Sequence, residues 1–285
     1  MSLNLDFFKR NTNITAKVVC DSINEQGVRL TTFEIEYPRF ILAELNTHRQ
    51  LSKNSSSSRA IPIKKMLSQI EDNMAIPVYW GKAKSGMQAD GEVDEDDVWW
   101  YREKWEFAYD EVSYRVKQLS DLVEGKEGFM EALHKQIPNR LIEPFQMMKT
   151  VITGTDWDNF FNLRLHPDAD PNICMLAYKM YKAMEQSKPN LLYSEEYHTP
   201  YVKSLRDSTG SLFYFDVDDN YLTLSDAIKL SAASCASVSY RTEGMTLEKA
   251  EKIFDMLIKA EVVHSSPFEH LATPVQYQSN NTDDW

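Results

Sequence analysis

Residues 46–60 read N-T-H-R-Q-L-S-K-N-S-S-S-S-R-A, placing one histidine, two arginines and five serines directly after the apolar run Phe40-Ile41-Leu42-Ala43. Two guanidinium forks among many small hydroxyls suit a dianionic phosphate and a planar heterocycle. The same composition also suits a basic, serine-rich loop that caps a helix. A second dense polar cluster near the other chain end favours the first reading. It is His264-Ser265-Ser266-Pro267-Phe268-Glu269-His270, again beside apolar residues.

Composition narrows the function classes. The chain has 285 residues, 42% of them hydrophobic and 26% charged, the balance of a soluble globular protein with ample core. A single domain over residues 1–285 is expected. The formal net charge of −12 repels the nucleic-acid backbone, so no nucleic-acid partner is expected, while a small phosphorylated ligand in a local basic pocket is compatible with it. No apolar run approaches the roughly 20 residues that cross a bilayer. Met1-Ser2-Leu3-Asn4-Leu5-Asp6 lacks the basic start and apolar core of a signal peptide. The expectation is a cytoplasmic protein with no membrane partner. Cys20, Cys174 and Cys235 are widely spaced and form no C-x-x-C pair, which argues against a disulfide framework. Cys174 and Cys235, among apolar or small neighbours, read as small buried hydrophobes. His48, His134, His166, His198, His264 and His270 show no metal-ligand spacing, so no metal is expected.

Patterning along the chain predicts an α+β arrangement, with many helices around a small, mostly antiparallel sheet made from both chain ends. Lys17 to Glu36 reads as a β-hairpin about Asn24-Glu25-Gln26-Gly27, with Val28–Tyr37 as its second strand. Pro38 opens a helix through Phe40–Thr47, and the serine-rich run follows it. Lys64–Asp72 reads as a short helix and Gly81–Gly91 as a loop. Val98 to about Leu122 forms a long helix whose aromatic stripe suits a core or a subunit interface. Pro138–Thr150, Asp156–Leu165 and Asn172–Gln186 read as helices. Ser225 is expected to cap a helix from Asp226, and Thr246 a helix from Leu247 to about Val262. Leu271–Gln278 is expected as a last strand.

Taken together, these segments resemble the flavin-dependent thymidylate synthases. That family's R-H-R-x-x-S-x-N-E-x-S-x-R-Y appears here as residues 47–60, matching at His48, Arg49, Ser52, Asn54, Ser57 and Arg59. Thr47, Ser55 and Ala60 replace its first Arg, its Glu and its Tyr. The family's H-x-[ST]-P-F-E-H corresponds to His264–His270. Its A-R-V-S-Y is recognisable as Ala236-Ser237-Val238-Ser239-Tyr240 with the Arg lost. Asn159-Phe160-Phe161-Asn162-Leu163-Arg164 resembles the helix ending N-F-L-x-L-R. The A-Q-x-E-I that follows it is here Ala169-Asp170-Pro171-Asn172-Ile173, with Asp170 and Asn172 replacing a Gln and a Glu. The P-F-E-H segment precedes the Arg/Ser signature in the common form of the family and follows it here. That order resembles a circular permutation, which would make the first and last strands neighbours. Trp80–Gln88 and the segment around His198 look like elements of this permuted subgroup.

The resemblance implies reductive methylation of dUMP, with FAD as cofactor and with methylenetetrahydrofolate and NADPH as co-substrates. It assigns His48, Arg49, Asn54, Asn159, Ser266 and Glu269 to the cofactor. It assigns Ser57, Arg59, Arg164 and Glu44 to dUMP, Glu44 standing where the family has a Gln. Ser57, Arg164 and His264 are the expected catalytic residues, with His264 near flavin and folate. It also implies a homo-oligomer, a tetramer with sites built from several subunits. The replaced residues leave two alternatives: a related hydroxymethylase acting on dUMP or dCMP, and a degenerate nucleotide-binding homologue.

Overall fold

Asn24 turns the chain back on itself. The Gly27 amide donates to the Asn24 carbonyl at 3.0 Å, and the Asn24 side-chain oxygen accepts from the Val28 amide at 2.8 Å. Gly27 sits at φ +86°, a left-handed conformation that costs glycine little. The flanking strands, β1 (Thr15–Ile23) and β2 (Arg29–Pro38), pair antiparallel with a register break between Val18 and Cys20. The computed structural model describes residues 5–120, 133–239, 245–261 and 263–275.

Three more strands complete the main sheet: β3 (Ser52–Ser55), β4 (Met147–Gly154) and β5 (Asn190–Leu191). Its order is β3-β4-β2-β1-β5, antiparallel except for the β1–β5 edge. A second, antiparallel sheet holds β6 (Lys203–Arg206), β7 (Leu212–Phe215) and β8 (Tyr221–Leu222). The helices are α1 (Leu5–Phe8), α2 (Leu42–Asn46), α3 (Ile63–Asp72), α4 (Glu95–Gln118), α5 (Pro138–Leu141), α6 (Asp158–Arg164), α7 (Pro171–Gln186), α8 (Leu224–Ala236) and α9 (Leu247–Lys259).

The main core lies between the sheet and α7. Phe33, Ile35 and Tyr37 of β2 and Ile152 of β4 are fully buried against Ile173, Leu176 and Met180, with Trp157 and Phe160 closing one end. Each such side chain contributes roughly 1.5–3 kcal/mol by leaving water. A second cluster packs α3 against Tyr109 and Val116 of α4, and a third packs α8 and α9 on the small sheet. The aromatic stripe of α4 is therefore divided: Trp105 and Tyr109 pack inward, while Trp99, Trp100 and Phe107 are exposed.

Local chemistry explains where expectation and structure part. The helix expected over Pro138–Thr150 is only α5, a 3-10 turn at Glu143–Phe145, and then β4. Pro144 cannot continue a helix, and Thr150-Val151-Ile152-Thr153 is a β-branched run. That strand is buried on both faces, so it shows no alternation to betray it. Thr223, not Ser225, caps α8, accepting from the Asp226 amide at 3.2 Å. Thr246 caps α9 as expected. The strand expected at Leu271–Gln278 is a single bridge, Ala272 to His198, and residues 276–278 lie outside the described residues. Among the described residues no helix is long and apolar enough to cross a membrane.

Candidate functional site

His48 lies just past α2, its ring buried and edge-on to Phe160 of α6 at 4.9 Å between centroids. Arg164, the last residue of α6, donates from Nε to His48 Nε2 at 2.8 Å, which puts the imidazole proton on Nδ1. Arg164 Nη2 also donates to Thr47 Oγ1 at 3.0 Å and to the Glu44 carbonyl at 3.3 Å. Lys53 Nζ donates to the carbonyls of His48 and Leu51. Burial, then the charges of Arg164 and Lys53, pull His48 down to about 4, so the ring is neutral at pH 7. Burial and Asp170 push the Glu44 carboxyl up against the opposing pull of Arg164. A cavity of about 290 Å³ opens here, lined by His48, Arg49, Leu51, Asp156, Asn159 and Phe160 among others.

The serine run continues past β3, which pairs with β4, and meets the segment 235–239. Asn54 Nδ2 donates to the Cys235 carbonyl at 3.0 Å, and the Ser57 amide donates to Ser239 Oγ at 2.9 Å. Ser57 Oγ accepts from the Arg59 amide at 3.3 Å, leaving the Arg59 side chain exposed. Ser58 Oγ donates to Glu143 Oε1 at 2.7 Å. A smaller cavity of about 210 Å³ borders Ser56, Ser239, Glu36, Gln146 and Lys149. Tyr240 lies outside the described residues.

The tail contributes a 3-10 turn, Ser266–His270, which packs beside β3, β4 and α8. Pro267 and His270 are buried, whereas His264, Ser266 and Glu269 are exposed. The P-F-E-H-type and A-x-V-S segments therefore both lie against β3 of the Arg/Ser run.

The structure thus brings His48, Arg49, Asn159, Arg164 and Glu44 together at or beside one cavity. It gathers Asn54, Ser57 and the tail turn around β3. The cavities at His48 and at Ser239 have no lining residue in common. Several departures from the family pattern have structural work. Asp170 caps α7, accepting from the Asn172 amide at 2.8 Å and the Ile173 amide at 3.3 Å. Asn172 Oδ1 accepts from the Val78 amide at 3.0 Å, and Ser55 Oγ meets Thr150 Oγ1 at 2.8 Å. Burial pushes the Cys174 thiol up to about 12, so it is no nucleophile at neutral pH. Among the described residues no group of three or more His, Cys, Asp or Glu is placed to hold a metal ion.

Sequence reading missed the buried polar run from Ser22 through His198, Thr32 and Thr153 to His270. Threonine is an ordinary strand residue, so neither Thr32 nor Thr153 carries a local signal. They meet because β2 and β4 pair in a register that sets them opposite each other.

A family model described as "Thymidylate synthase complementing protein" matches residues 28–190, more than half of the chain. No curated protein matches the chain. Among solved structures, the UMP/dUMP methylase PolB from Streptomyces cacaoi bound with 5-Br UMP is similar at TM-score 0.50 and 17% identity, over 62% of this chain and 90% of that one. The same enzyme bound with 5-Br dUMP gives TM-score 0.47 and 17% identity, over 62% and 91%. At that identity the likeness is one of fold.

Proposed function

The chain belongs to the thymidylate synthase complementing protein family, and from that premise we propose that it methylates dUMP to dTMP, taking carbon from methylenetetrahydrofolate and reducing equivalents from NADPH through FAD. One observation carries the reading. Arg164 Nε bonds His48 Nε2 at 2.8 Å and so joins two separate family segments at an open cavity.

The residues there suit a flavin. The cavity's 290 Å³ is close to the lower end, roughly 300 Å³, of small-molecule pockets. His48 and Phe160 line it, their rings edge-to-face at 73°. Arg49 and Asn159 line it, both exposed, and Glu44 Oε2 is buried without a hydrogen-bond partner among the described residues. In this reading His48, Arg49, Asn54, Asn159, Ser266 and Glu269 hold FAD, which when bound supplies the hydride chemistry. Burial, helped by the charge of Arg164, keeps the His48 ring neutral, and the bond from Arg164 leaves Nδ1–H as its donor. Ser57, Arg59 and Arg164 hold dUMP, the guanidinium of Arg59 serving its phosphate, with Glu44 beside them. Arg164 Nη1, which makes no hydrogen bond among the described residues, is available in this reading to polarise a uracil carbonyl. In this reading the exposed His264 serves the folate side. In this reading the working form is a homo-oligomer, a tetramer whose sites draw residues from several copies, as the family resemblance implies.

The test is the purified protein's absorption spectrum and the mass of its product from dUMP, methylenetetrahydrofolate and NADPH. Oxidised flavin and dTMP are expected. A hydroxymethylated product would favour the related hydroxymethylase suggested by Thr47, Ser55 and Ala60. Tight dUMP binding with neither flavin nor turnover would favour a degenerate nucleotide-binding protein.

A further inference from the structure

Beyond the family match, residues 195–202 form a strap over the sheet. Glu195 and Tyr201 hold φ of +72° and +68°, left-handed values that non-glycine residues keep only where the surroundings impose them. The Tyr201 hydroxyl donates to Glu34 Oε2 at 2.8 Å, and its amide donates to the Val19 carbonyl at 3.4 Å. Within the strap His198 is fully buried, and its amide donates to the Ala272 carbonyl at 2.8 Å.

The His198 ring lies between strands. Nδ1 meets Ser22 Oγ of β1 at 2.8 Å, and Nε2 meets Thr32 Oγ1 of β2 at 2.8 Å. Thr32 Oγ1 meets Thr153 Oγ1 of β4 at 2.7 Å, which meets His270 Nδ1 at 2.7 Å. His270 Nε2 is buried with no hydrogen-bond partner among the described residues. Each threonine hydroxyl has one proton, and one of the two is taken by the bond between them, so the two rings cannot both accept from this run. The tautomers of His198 and His270 are therefore coupled: if either ring accepts here, the other must donate.

We infer that His198 is a positioning residue, which through Thr32 and Thr153 fixes the His270 ring and so seats the Ser266–His270 turn against β3. The inference rests on the proposed function only in that Ser266 and Glu269 of this turn would face the cofactor. The seating itself is independent of any ligand.

The experiment compares full-length protein with His198→Ala and with Thr32→Val, which removes one buried hydroxyl while keeping side-chain shape. Two readouts are hydrogen exchange of residues 266–272 and the ¹⁵N shifts of His270. The expected result is roughly tenfold faster exchange at 266–272, as for loss of about one buried hydrogen bond, with the amides of β2 and β4 unchanged. His270 is expected to go from one tautomer to a mixture. If His198→Ala does not fold, Thr32→Val decides. Unchanged exchange with a single His270 tautomer would overturn the inference, as would uniformly faster exchange across the sheet. Flavin binding is measured separately on the unaltered protein. Local loosening in the variants with no flavin in the parent would leave the positioning role standing and remove the cofactor reading.

Discussion

The cavity at His48 and the closed run from His198 to His270 treat the same side chain in opposite ways. Both regions hold neutral histidines: His48 and His270 are pulled down to about 4 and His198 to about 3. At His198 and His270 the first cause is burial, and nearly every polar atom of the run is bonded to another residue of the chain. At His48 burial is joined by two cations, and the neighbouring Arg49 and Asn159 face open space. Folding satisfies buried polar atoms as a rule. A place where a guanidinium and an amide stay open beside a neutral imidazole is therefore one where another molecule can complete the bonding.

Acidification should disturb this contrast most. All three histidines have folded pKa values below the ordinary 6.5, so their stabilisation is fully present above pH 6.5. It is lost as pH falls toward 4 and then 3, because the unfolded chain takes up protons that the folded one refuses. Each histidine accounts for on the order of 3 kcal/mol over that span. Urea midpoints should fall steeply between pH 6.5 and 4, and a flat profile would contradict the buried, neutral state of the rings.

Arg164→Ala attacks the open region directly. It should lower kcat/KM by about 10³-fold, on the order of 4 kcal/mol, while costing stability only about 1–2 kcal/mol. With that cation gone, the His48 pKa should rise, as NMR titration would report. Turnover within threefold of the parent would remove Arg164 from the site.

Arg49→Ala sharpens the contrast, since Arg49 is exposed and lines the cavity. A drop in activity of about 10²-fold with the unfolding free energy from urea titration changed by less than about 0.5 kcal/mol is expected. Equal losses in both measurements would make Arg49 a structural residue. The smallest effect belongs to Asp170→Ala, which removes the α7 cap at a cost of about 1 kcal/mol with turnover unchanged. If turnover falls with it, Asp170 acts at the site as well as at the helix end.

Much of this was legible in the chain. Asn24 to Gly27 announced the hairpin, Thr246 its helix, and the apolar face of residues 172–186 the helix that covers the sheet. The polar segments containing His48, Ser57, Arg164 and the tail's Pro-Phe-Glu-His turn were visible as unusual chemistry. β4 was not, because a strand buried on both faces has no period to read. Nor was it visible that the segments of His48 and Arg164 meet at one cavity while Ser56 and Ser239 border another.

The sequence by itself determined which side chains were available and how the chain turns and caps, since those depend on neighbours a few residues away. Only the tertiary structure decided that Arg164 reaches His48 and that Thr32 faces Thr153. Those pairings, 116 and 121 residues apart, follow from strand register and helix placement, which the burial of the whole core imposes at once.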